Sequence, residues 1–183
     1  MKKILLTLAL ATAFSAQAVD YTQVQTDKST IHFTYKQMGV AVDGQFRKFA
    51  SQITFDPAKP SAAKATFEVE LASVDTGAPE GDQEVAGKPW FNTRAFPTAR
   101  FVSGTVKPLG GNKVEVAGQL TIKGKTQDVV VPATFTPQGN SGVFDGSFTI
   151  RRADFSIGEG SWAKFDIVAN DVLIKFRITA NSK

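Results

Sequence analysis

The 183-residue chain has no cysteine and a single histidine, His32. The first absence excludes disulfide staples and thiol chemistry. Together they leave a zinc site almost nothing but carboxylates, an unusual ligand set. A Ser-His-Asp triad would need His32, which falls on the polar face of "TIHFTYK", and no G-x-S-x-G elbow is present. Tyrosine and tryptophan, favoured at protein interfaces, number two each against fifteen phenylalanines. Phenylalanine offers apolar area with no polar atom to satisfy, which suits a core or a greasy cavity better than a partner patch. No block of like charge, internal repeat or low-complexity linker argues for a second domain or a nucleic-acid surface.

What is present begins with "MKKILLTLALATAFSAQA": two lysines, an apolar run from Ile4 to Phe14, and an A-x-A pattern ending at Ala18. This reads as a secretory signal peptide over residues 1–18, cleaved after Ala18. The run of about eleven apolar residues is well short of the roughly 20 a spanning helix needs. The expected mature domain, 19–183, has the size of one domain with one sizeable core. Lys2 and Lys3 leave with the leader, which lowers the formal charge from +4 to +2. So mild a positive charge gives no reason to expect a nucleic-acid partner.

Alternation of apolar and polar residues dominates the rest. Ile31, Phe33 and Tyr35 share one face of their segment, as do Ala65, Phe67, Val69 and Leu71, and later Phe144, Phe148 and Ile150. One wet and one greasy face per strand is the antiparallel signature. Eight strands are expected, near 30–37, 42–56, 63–72, 99–107, 113–122, 127–136, 143–150 and 171–180. Turn signals separate them at "LGGN", "KGKT" and "PQGNSG". The second strand loses its even spacing between Phe46 and Phe49, which predicts a bulge or bend at Arg47 and Lys48. "PEGDQEVAGK" at 79–88 predicts a helix, with Pro early and acids in the first turn, and a short turn is expected near 160–165. The pattern predicts an all-β fold, a closed barrel or a sandwich; at eight strands a barrel interior is either filled by side chains or holds one small ligand.

Few strings carry chemistry. "VDTGA" at 74–78 matches the way aspartic proteases present a carboxylate, but no second copy is present and a strand-end turn explains it. Lys123 and Lys125 flank a turn and read as solvated hairpin charge. "RRADF" places Arg151 and Arg152 at a strand end, where their guanidinium forks suit an anionic headgroup or an ordinary ion pair with Asp154.

Four stretches, taken together, are specific: "GVAVDGQFRKFASQITFDPAKPSAAKATFEVELASVDTG", "PWFNTRAFPTARFVS", "VAGQLTIKGKTQDVVVPATF" and "RRADFSI". In order and spacing they resemble the YceI-like family of periplasmic polyisoprenoid-binding proteins, from about Tyr21 to Ala180. The resemblance implies an extended eight-stranded antiparallel barrel of lipocalin type, periplasmic, with an apolar tunnel for a long prenyl chain or similar amphiphile. It implies no catalysis and no cofactor. The partner expected is an isoprenoid lipid of quinone or prenyl phosphate type, for carriage, storage or sequestration. A broad scavenger of lipophilic compounds, antibiotics included, and a quinone-delivering partner of a membrane redox protein stay open, as do transient membrane contact and a homodimer.

The inward positions give the candidate ligand contacts: Phe33, Tyr35, Phe46, Phe49, Phe67, Val69, Phe101, Leu120, Val131, Phe148 and Phe176. Trp90, Phe91 and Phe96, in the irregular "PWFNTRAFPTARF", are candidates for the plug or rim of the cavity or for plain core. Arg151 and Arg152 are the candidate headgroup contacts.

Overall fold

The computed structural model describes residues 19–183; the expected leader lies outside them. Eleven strands are present: β1 (Tyr21–Val24), β2 (Thr30–Gln37), β3 (Val40–Phe46), β4 (Phe49–Thr54), β5 (Lys64–Glu70), β6 (Val74–Asp75), β7 (Thr98–Gly110), β8 (Lys113–Ile122), β9 (Lys125–Gln138), β10 (Ser141–Arg151) and β11 (Val168–Ser182). The helix α1 (Pro79–Ala86) stands between β6 and β7. All strand pairs are antiparallel, in the order β4-β5-β7-β8-β9-β10-β11-β2-β3-β6, with β1 added beside β11.

The expected bend at Arg47 and Lys48 is where one long strand becomes two. β3 pairs with β2 on one edge of the sheet, and β4 pairs with β5 on the other. A single run of chain thus joins the two edges and curls the sheet into a barrel-like half-shell. β1 reinforces the closure at the opposite end: it pairs with β11, and Tyr21 exchanges both backbone hydrogen bonds with Phe55. β1 and β6, too short to show a period, are the two strands the alternation did not predict.

Turn chemistry sets the hairpins. Met38-Gly39 and Lys123-Gly124 each have two consecutive left-handed residues, the two-residue turn that matches strand twist. α1 starts at Pro79, and the Asp82 carboxylate accepts from the Thr76 N–H at 2.7 Å and the Thr76 hydroxyl at 2.8 Å. None of its residues is buried. Among the described residues no helix is long and apolar enough to cross a membrane.

The apolar side chains form two clusters. One gathers Tyr21, Phe55, Phe135, Phe144 and Ile178 at the β1 end. The other gathers Leu71, Trp90, Leu120, Ile150, Phe155 and Val168 beneath α1 and the loops 87–97 and 152–168.

Candidate functional site: an apolar lumen

Between the clusters runs a cavity of about 530 Å³, within the range of sites that enclose a small-molecule ligand. Its wall is built from the inward faces of β2, β3, β4, β5, β7, β8, β9, β10 and β11. Phe33, Tyr35, Phe46, Phe67, Val69, Phe101, Leu120, Val131, Phe148 and Phe176 all line it, and so do Trp90 and Phe91. Its exposed lining residues at one end are Gln37, Glu80 and Glu84, so the mouth lies between α1 and the β2–β3 hairpin.

Two of the predicted contacts stand elsewhere. Phe49 sits just past the bend and packs, half-buried, against the Tyr21–Phe135 cluster. Phe96 lies against the β8–β9 turn, where a Cβ on Gly124 would meet its ring at 2.9 Å. The expected place of Phe49 rests on spacing, whose register the bend shifts; Phe96, left open between rim and core, packs off the lumen.

The aromatic loop serves both roles left open for it. Trp90 is buried and packs at a tilt against Trp162, with centroids 5.4 Å apart, yet it also lines the lumen; its indole N–H donates to Glu84 at 3.3 Å. Phe91 meets Phe46 across the cavity wall at 6.1 Å.

Neither arginine is a free headgroup contact. Arg151 points outward and pairs with Asp154 at 2.8 Å. Arg152 is almost wholly buried and donates to six backbone carbonyls: Ile157, Gly158, Trp162, Lys164, Val168 and Ala169, at 2.8 to 3.2 Å. Trp90 and Phe165 cover its guanidinium. Burial pushes its pKa below the usual value, and the carbonyl dipoles stand in for a carboxylate. The side chain holds the 157–169 loop onto the barrel and has no donor left for a ligand. Lys123 is likewise no solvated hairpin charge: buried, it donates to the Ser156 carbonyl and to Glu159, each at 2.7 Å. The loop covers the turn, which the turn's own sequence does not reveal.

Glycines shape the wall in a way the residue pattern concealed. A Cβ on Gly44 would overlap the Phe33 ring, and one on Gly146 would overlap the Phe176 ring. Each glycine is the cross-strand partner of its phenylalanine. The rings therefore fold down over bare backbone instead of standing into the lumen. An isolated glycine inside an alternating strand is the signal for such close approach.

The protease-like Asp75 is a corner clamp. Its carboxylate accepts from Gln45 at 2.9 Å, from Arg47 at 2.8 Å and from the Gly77 N–H at 3.1 Å. The Gln45 hydrogen bond first, then those of Gly77 and Arg47, hold its pKa below the usual carboxylate value. His32 is exposed.

The family model for the YceI-like domain matches residues 22–180. The chain belongs to the YceI-like family. Among curated relatives, a UPF0312 protein of Pseudomonas fluorescens is 34% identical over 172 residues, covering 85% of this chain and 87% of its own. Among solved structures, BcnA of Burkholderia cenocepacia is 43% identical with a TM-score of 0.85, covering 87% of this chain and all of that one. A polyisoprenoid binding domain from Saccharophagus degradans superposes with a TM-score of 0.69 at 15% identity, over 90% of this chain and 99% of its own, a likeness of fold. This YceI-like chain shares with them the curled antiparallel sheet of lipocalin type.

Proposed function

We propose that this YceI-like protein is an exported, non-catalytic carrier or store that holds the chain of a long isoprenoid lipid in its lumen. The continuous apolar cavity, about 530 Å³ in volume and open beside α1, carries the reading. The family, and a fold neighbour described as a polyisoprenoid binding domain, support it. The leader-like first eighteen residues support export.

Energetics favour exchange over capture. At about 0.8 kcal/mol per methylene, transfer of a forty-carbon chain from water would exceed the practical ceiling on noncovalent affinity. The relevant alternative for such a lipid is a membrane, as apolar as the lumen, so net transfer is close to balanced and the lipid can be both loaded and released.

The rim supports transient membrane contact. Four of the seven exposed large apolar residues among the described residues, Met38, Val40, Phe165 and Ile167, lie beside the mouth. The Met38 N–H donates to the Ile167 carbonyl at 2.7 Å, which joins the hairpin tip to the loop. Met38 also has a left-handed backbone, φ 50°, where folding alone favours Asn or Gly. Flotation with lipid vesicles that is lost on Met38→Ser with Phe165→Ser is the expected outcome; flotation indifferent to both changes contradicts this role for the rim.

Gentle purification of the mature protein, solvent extraction and mass spectrometry test the main reading. A long-chain lipid should be released. A protein that is empty and also ignores added prenyl lipids overturns it.

A further inference from the structure

The lumen offers a fatty chain many partners and an anion almost none. Among the described residues, the cations on its wall are Arg152 and Lys64. Arg152 has committed its donors to six carbonyls. Lys64, exposed at the start of β5, borders the lumen beside Ala63 and Ala65, which pack against the Tyr21–Phe55 cluster at the end away from α1. Lys36, beside the mouth, is on the outer face, between the lumen-lining Tyr35 and Gln37.

The mouth itself is acidic. Glu80 and Glu84 project from α1 at positions i and i+4, on one side of the helix, and both line the opening. Around them are the Tyr35 phenol, the Gln37 carboxamide and the Thr76 hydroxyl, whose one hydrogen is shared between the Asp82 carboxylate and the Ala78 carbonyl. Burial pushes the Tyr35 pKa up, so the phenol stays a neutral donor. A lipid whose tail fills the apolar lumen must leave its polar end here, because an unpaired charge cannot follow the tail inward. An alcohol, phenol or quinone end finds hydrogen-bonding groups. A phosphate finds two carboxylates and no counter-charge.

We propose that the lumen selects lipids with an uncharged polar end over those with a phosphate or other anionic end, and that Glu80 and Glu84 set this selectivity. The inference rests on the isoprenoid-binding reading above and narrows its ligand class. Geranylgeraniol and geranylgeranyl monophosphate, which share one chain, are the probes, titrated into delipidated mature protein at low ionic strength. The alcohol should bind about tenfold tighter or more, and the gap should narrow as salt screens the exposed glutamates. In the Glu80→Gln, Glu84→Gln variant, checked for an unchanged circular dichroism spectrum, the ratio of the two affinities should fall toward unity. Phosphate binding as tight as the alcohol, or a ratio unmoved by the double substitution, overturns the inference while leaving isoprenoid binding intact. Binding of neither probe overturns the underlying reading and this inference with it.

Discussion

The two ends of the barrel use phenylalanine in opposite ways. At the β1 end, Tyr21, Phe55, Phe135 and Phe144 form a knot with centroids 4.7 to 5.0 Å apart, all nearly sealed from solvent. Along the lumen, Phe33–Phe46, Phe33–Tyr35, Phe46–Phe91 and Phe67–Phe101 stand 5.4 to 6.5 Å apart. The first set fills space, as a close-packed interior requires, with Phe55 and Phe144 forming the floor of the lumen. The second lines space. Glycines seat rings at both ends, Phe33 and Phe176 over the lumen and Phe135 on Gly142 at the closed end. What separates the ends is that at the closed one four rings converge from β1, β9, β10 and the residue after β4. The same residue type therefore closes one end and keeps the other open.

Substitutions can break this contrast. The largest effect is expected at the device that roofs the open end. Arg152→Lys removes donors from a shell of six carbonyls, and the loss should be about 3 kcal/mol or more by urea denaturation. Phe135→Ala at the closed end should cost about 3–5 kcal/mol, with ligand affinity changed little, since Phe135 does not line the cavity. Phe46→Ala, on the lumen wall, should reverse the pattern, with a cost under about 2 kcal/mol and a clear drop in affinity. Equal stability losses at the two positions would erase the distinction between filling and lining.

A smaller effect sharpens it. Gly44→Ala should push the Phe33 ring off its seat at a cost of about 1–3 kcal/mol and weaken ligand binding. Adding Phe33→Leu should recover part of both, and no recovery would count against the seat. The smallest effect concerns the corner that turns β3 into β4. Because the folded Asp75 pKa is lowered, its contribution is present above the ordinary carboxylate value and fades as pH falls below it through the folded value. Urea midpoints should decline over that acid range, and Asp75→Asn should flatten the decline.

Much of the fold was legible because alternation reports which face of a strand is wet. Phe67, Val69 and Phe148 could be placed on the lumen wall from spacing alone, and the broken spacing between Phe46 and Phe49 located the bend. Spacing could not say that the bend sends β3 and β4 to opposite edges, because that depends on partners distant in sequence. It misplaced Phe49, just past the bend, and had nothing to say of Phe96 in the irregular loop. Arg152 shows a signal present but outweighed: it continues the inward series Phe148 and Ile150, yet its charge suggested the surface. The acidic mouth was missed for a different reason. Glu80 and Glu84 read as ordinary solvated helix residues, and only the position of α1 over the opening gives them a role.

The central claim is that the open half of the barrel holds a lipid chain while the closed half is core. Trp90 and Trp162, the two tryptophans of the chain, stand together on the wall of the open half. Titration of the delipidated mature protein with a long-chain prenylquinone, a tryptophan quencher, reads that half directly. Saturable quenching that ends near one equivalent, and that a prenyl alcohol reverses by competition, is the predicted result. Quenching that never saturates, or tryptophan emission that ignores the ligand, would contradict the account.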